Sequence, residues 1–280
     1  MRKYLSLTKV FMISIIGAST AIKIGGKERK WAGIAVMLLI AACFAPILWI
    51  VYEMMGQIFY IFNLLGELPV AIGLVLNIGS IMIFFFSFLA APALFYFAKD
   101  VEFVLPMPVK AEQIIGAKFT VALLFEYLIS LALLAVMFVA LWGYLPAGVL
   151  TFNVIITFLT LPILPLVYST VMVMLLVRVS RFGRNPDRYT MFISVVGIVI
   201  AVGFSMLASQ ITMIDENALA DMLMGEPTTL TTLNTVFLSN GFAARALGAD
   251  TLFGGALHNQ IINLAITAGV ILVFFMLALQ

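Results

Sequence analysis

An all-α integral membrane protein with six transmembrane helices is the fold class this sequence predicts. Three observations carry that reading. Hydrophobic residues make up 64% of the 280 residues and charged residues 10%, against about half and a quarter in a soluble domain. Several apolar runs exceed the ~20 residues needed to cross hydrocarbon. Fourteen of the fifteen Lys and Arg residues fall into three intervals, each separated from the next by two apolar runs. The first interval holds Arg2, Lys3, Lys9, Lys23, Lys27, Arg29 and Lys30. The second holds Lys99, Lys110 and Lys118, and the third Arg178, Arg181, Arg184 and Arg188. All three then lie on one side of the bilayer, which the positive-inside rule makes the cytoplasm, with both termini on that side.

The elements follow in order. Residues 1–30 begin with charge and contain the short apolar stretch 10–18, with Lys23, Lys27, Arg29 and Lys30 close behind. Positive charge just after a cleavage point opposes export, so an interfacial amphipathic helix is preferred to a cleaved signal. Lys3, Ser6, Lys9, Thr20 and Lys23 would form its polar stripe. The six spans are expected over 31–52, 70–98, 119–141, 150–177, 191–214 and 261–279. Each must be helical, because lipid offers no partner to an open backbone. Pro162 and Pro165 should bend the fourth. The short connections 53–69 and 142–148 contain no Lys or Arg, and 215–260 contains only Arg245. Residues 218–224 suit a short amphipathic helix after Asp215 and Glu216, ended by Pro227. Phe237, Phe242, Leu247, Leu252 and Phe253, scattered among small residues, suit short outer helices on or in the outer leaflet. The whole reads as one transmembrane domain, 1–280.

A search for chemistry returns little. Gly26-Lys27 is followed by Glu28 and preceded by Ala21 where a phosphate loop needs glycine, so ATP is not bound here by that motif. His258 is the single histidine and Cys43 the single cysteine. Neither a disulfide within the chain nor a metal site is expected, and one imidazole makes no catalytic site. No basic patch interleaved with aromatics points to nucleic acid. Anionic headgroups fit the positive intervals better. Two polar groups fall inside spans. Glu126 lies some ~10 Å into the third, as an ion-coupling candidate or a group paired with a neighbouring helix. Asn77 in the second reads as an interhelical hydrogen-bond partner.

The segment 99–118 is the most informative. It contains Asp100, then Leu105-Pro106-Met107-Pro108-Val109, then Lys110, Glu112, Ile114, Ile115 and Lys118. The prolines disfavour helix before them, and a short helix parallel to the membrane, from about Lys110 to Lys118, is expected to follow. An acidic residue, a Leu-Pro-apolar-Pro turn and a helix entering the third span resemble the cytoplasmic loop of bacterial ABC transporter permeases of the ABCG-like, or type V, exporter branch. The resemblance extends to the interfacial helix, six spans and extended segment before the last span. It implies a transport subunit that is not itself an enzyme. Two cytoplasmic ATPase subunits would carry ATP and magnesium, and a second permease copy or homologue would pair with this one. Asp100, Pro106, Pro108, Lys110, Glu112, Ile114, Ile115 and Lys118 would form the contact that transmits ATP binding to the spans. Such proteins occupy the bacterial cytoplasmic membrane. Some relatives are about twice as long, so the chain could be the first half of a longer permease. The alternatives are an ion-coupled transporter using Glu126 and a membrane-embedded enzyme acting on lipid or peptide.

Overall fold

The computed structural model describes residues 7–12, 23–24, 27–28, 30–95, 111–179, 191, 194–195, 197–198, 202, 236–249 and 251–278, with main chain alone at 23–24, 27–28, 30–41 and a few helix positions. Apart from one two-residue strand pair, the elements named below are helical. Five helical stretches are long and apolar enough to cross a membrane: Ala42–Leu64, Leu68–Pro92, Gln113–Leu141, Ala147–Arg178 and Leu257–Ala278. The span expected over 191–214 and the helix expected over 218–224 lie mostly or wholly outside the described residues.

The N-terminal expectation is only partly met. Residues 7–12 are helical, but Lys23–Ile24 (β1) and Lys27–Glu28 (β2) pair as antiparallel strands. Lys23 therefore cannot continue a helical polar stripe. Gly25-Gly26 between the strands is the composition of a two-residue hairpin loop, a local preference that outweighs the helical spacing.

Helix α1, Lys30–Leu64, is 35 residues long, about 52 Å at 1.5 Å per residue. It overruns the expected end at Tyr52 by three turns. Glu53 is exposed on the helix rather than in a connection. Met55, Phe59 and Phe62 recur at i, i+4 and i+7 beyond it and are buried. That apolar face holds the helix together, since one charge and Gly56 cost it little. Gly66 closes the helix at φ 75°. The Glu67 amide donates to Phe62 O and the Gly66 amide to Asn63 O, at 2.9 and 3.1 Å. This paired cap needs a left-handed residue, which glycine supplies without strain.

Helix α2, Leu68–Phe95, returns antiparallel to α1. Helix α3, Ala111–Leu141, is one unbroken 31-residue element. No separate helix over 110–118 precedes the third span: from Ala111 those residues are its first two turns. The 142–146 turn, with Gly143 at φ 104°, leads to α4, Ala147–Thr160, and α5, Ile163–Val179. The break at Leu161–Pro162 is the bend expected of the fourth span. Pro162 opens it, whereas Pro165 sits in the first turn of α5, where no amide is needed. Tyr127 on α3 donates its hydroxyl to Leu159 O at 2.9 Å, and Thr160 to Ile156 O at 3.1 Å. The Tyr127 bond supplies a donor to a carbonyl beside the break, as an apolar solvent requires.

The remaining described elements are α6, Leu238–Leu247, a π-helical turn Leu252–Ala256 and α7, Leu257–Ala278. The turns at 65–67 and 142–146 and the start of α7 mark one end of the bundle, here the hairpin end. Phe95, Ala111 and Ala278 mark the opposite end. The main core joins Phe59, Ile72, Leu76, Met137, Leu150 and Leu247 near the hairpin end. A second cluster, Phe119, Ile163, Leu166, Val167 and Phe274, fills the opposite half.

Candidate functional site: polar contacts inside the bundle

Of the residues expected to contact an ATPase, Asp100, Pro106, Pro108 and Lys110 lie outside the described residues. Glu112 falls in the first turn of α3, and Ile114 and Ile115 are half-buried on it. Lys118 has a different environment. It is 4% exposed. Its Nζ donates to Leu94 O at 2.8 Å and stands 5.7 Å from the centre of the Phe11 ring. Leu94 is in the last turn of α2, where carbonyls lack intrahelical partners and the helix dipole favours a cation. Leu7, Phe11, Ala117 and Val121 pack around this tie, with Leu94 and Ile114 against them. Lys118 therefore binds the N-terminal segment, the end of α2 and the start of α3 into one unit, rather than standing on a partner-facing surface.

Glu126 sits fifteen residues along α3, about 22 Å from Ala111. It is buried, and Oε1 accepts a hydrogen bond from Ser87 Oγ of α2 at 2.5 Å. Oε2 has no partner among the described residues. Ser87 is eight residues from Phe95, about 12 Å along α2. The two helices are thus joined through a polar group that lipid would otherwise penalise.

Asn77 is an interhelical partner, as its position suggested, and its partner is Asn240 on α6. The Asn240 amide nitrogen lies 3.0 Å from Asn77 Oδ1, 2.8 Å from Ser80 Oγ and 3.3 Å from Leu76 O. All three polar side chains are at most 2% exposed. The pairing order is antiparallel: Asn240 meets Asn77 and Ser80, Ala244 meets Gly73, and Gly248 meets Pro69. Helix α6 thus dips into the bundle from the hairpin end rather than lying on its surface, and its deep end places Phe237 6.2 Å from the Tyr168 ring. Small residues let the helices approach this closely. A Cβ built at Gly73 stands 3.4 Å from that of Ala244, at the short edge of the disulfide range of about 3.5–4.5 Å. In a Cys43→Ser background, Gly73→Cys with Ala244→Cys is expected to cross-link on oxidation, read as loss of two labelable thiols. Retention of both thiols under oxidant would count against this packing.

A second polar seam runs between α4 and α7. Asn153, Thr157 and Thr160 recur on α4 at i, i+4 and i+7; Gln260, Asn263 and Thr267 recur on α7 at i, i+3 and i+7. All six are at most 3% exposed. Asn153 Nδ2 donates to Ala246 O at 2.9 Å. Gln260 Nε2 donates to Asn153 O at 3.3 Å and Thr157 Oγ1 at 3.4 Å. Asn263 Nδ2 donates to Thr160 Oγ1 at 3.0 Å and Gln260 Oε1 at 3.2 Å. Sequence reading passed over all six, and Asn240 with them. The two matching polar stripes in otherwise apolar helices were the available signal. His258 is exposed at the start of α7. Among the described residues no three His, Cys, Asp or Glu side chains group as a metal site.

Among the described residues, long apolar helices with amides, hydroxyls and one carboxyl sequestered between them define a membrane-type helical bundle with polar contacts inside a mainly apolar core. Compared with known proteins, the chain matches no family model, no curated protein and no solved structure.

Proposed function

We propose that this chain is the membrane-spanning subunit of an ATP-driven exporter of the ABCG-like permease type, working as a pair with a second copy or homologue. Two cytoplasmic ATPase subunits supply ATP binding and hydrolysis, with magnesium on those subunits, and this chain binds no cofactor of its own. On this reading the protein lies in a bacterial cytoplasmic membrane with the 99–118 segment on the cytoplasmic side. The observation that supports it best is the continuity of α3. The helix begins three residues after Pro108 and runs unbroken to Leu141. A displacement at Ile114 and Ile115 would travel through Glu126 to the hairpin end without a joint to absorb it. The Lys118 tie moves the N-terminal segment and the end of α2 with it. Closure of the ATPases around ATP would bias the spans only if the loop binds their open and closed states unequally.

The test is Ile115→Asp, which puts a charge on the half-buried side of the first turns of α3. Co-purification of the ATPase and nucleotide-driven transport should both be lost. Normal values of both would rule out the coupling assignment.

A further inference from the structure

The seam between α4 and α7 carries more acceptors than donors. Asn153 Oδ1 and Asn263 Oδ1 are buried and have no hydrogen-bond partner among the described residues, although both side chains are wholly buried. The amide orientations are not interchangeable. Asn153 must turn its nitrogen to Ala246 O, and Gln260 its nitrogen to Asn153 O. That leaves Gln260 Oε1 facing Asn263, which must answer with its own nitrogen. The chain is anchored on two main-chain carbonyls, so the two surplus oxygens cannot be relieved by rotating an amide. A buried carbonyl left unpaired is destabilising, because it gives up its water without gaining a partner. Polar residues serving only as glue between helices would be expected to pair off.

Charge narrows what could answer these oxygens. Helix α4 carries no ionisable residue, and α7 carries only His258, exposed at its start. Among the described residues no cation lies between α4 and α7, Arg245 of the adjoining α6 being exposed, whereas an N–H or O–H donor would meet two acceptors that lack partners among those residues. The seam also has a floor. Two turns beyond Thr267, Phe274 packs on Phe119 with ring centres 4.9 Å apart, among Ile163, Leu166 and Val167. Polar lining thus occupies the half of the bundle at the hairpin end and stops at an aromatic layer.

We infer that the α4–α7 seam is a polar half-path opening at the hairpin end, that it takes a non-anionic molecule presenting N–H or O–H donors, and that the Phe119–Phe274 layer closes it. This rests on the transport reading above and specifies the site the cargo would use. The experiment needs this chain alone, so its outcome is independent of whether an ATPase co-purifies.

In a Cys43→Ser background, single cysteines replace Thr157 and Thr267, both close in size to cysteine, with folding checked by monodispersity. His258→Cys serves as the water-exposed reference, Leu264→Cys as the lipid-facing control and Ala278→Cys, one turn past Phe274, as the position beyond the floor. Protein in sealed vesicles is treated from the hairpin side with membrane-impermeant cationic and anionic methanethiosulfonates. Thr157→Cys and Thr267→Cys should react, while Leu264→Cys and Ala278→Cys should not. Their preference for the cationic reagent should exceed that of His258→Cys by at least about tenfold, the size of one hydrogen bond to a charged group. Seam cysteines as inert as Leu264→Cys would show static packing and overturn the path. Equal or greater reaction with the anionic reagent would overturn the ligand class. Reaction at Ala278→Cys would remove the floor.

Discussion

Asn240→Leu should lower the stability of the detergent-solubilised protein by about 2 kcal/mol, read as a fall in the thermal unfolding midpoint. The substitution keeps the side-chain volume but removes the one amide that reaches Asn77 Oδ1 and Ser80 Oγ together. Hydrogen bonds between membrane helices average about 0.6 kcal/mol and reach about 1.7. Stranding a buried acceptor adds to that loss. Asn77→Leu and the double replacement complete a thermodynamic cycle. A coupling energy near zero would mean that α6 is held by apolar packing alone. The expected result is that the double replacement costs less than the two single ones combined, because both single ones remove the same hydrogen bond.

Gly248→Val should have a larger and different effect. A Cβ at Gly248 would stand 2.7 Å from Pro69 Cγ and 3.2 Å from Pro69 Cα. A proline ring and main chain cannot swing aside as a leucine tip can, so α6 must lift from α2. Overpacking of this kind costs about 1–3 kcal/mol, and a branched side chain belongs at or beyond the upper end. The Gly73–Ala244 cross-link should then fail to form. Gly148→Ala is the control: nothing lies within 4 Å of its added Cβ, and alanine is the better helix former by about 1 kcal/mol. Similar losses at both positions would mean that the Pro69 contact does not set the cost.

Hydropathy located the five described helices of membrane-spanning length because twenty apolar residues have few other fates in water. It misplaced their ends for a physical reason. In a bilayer protein a helix outlasts its apolar stretch when one face stays buried, as Met55, Phe59 and Phe62 keep α1 helical beyond Glu53. The same effect merged 111–118 with the third span: Ala117 and Val121 are buried under Phe11. Pro162 was legible because a missing amide acts locally. Asn77 was legible as a polar group awaiting a partner, but the partner, 163 positions away, was not. The segment holding Asn240 was legible as a short helix on or in the outer leaflet, but not as one packed into the bundle. Its burial is decided by the pairing with Asn77 and Ser80, which no single-strand pattern records. The α4–α7 seam escaped notice because each helix, taken alone, is apolar enough to cross.

The seam also has a consequence for assembly. Helix α4 leaves the ribosome about a hundred residues before α7, and its Asn153, Thr157 and Thr160 have no described side-chain donors other than those of α7. Until Leu257–Ala278 is inserted, α4 presents an uncovered polar stripe to lipid or to whatever chaperone shields it. Insertion of α7 covers that stripe, so a nascent chain stopped short of it would expose these amides and hydroxyls within the membrane.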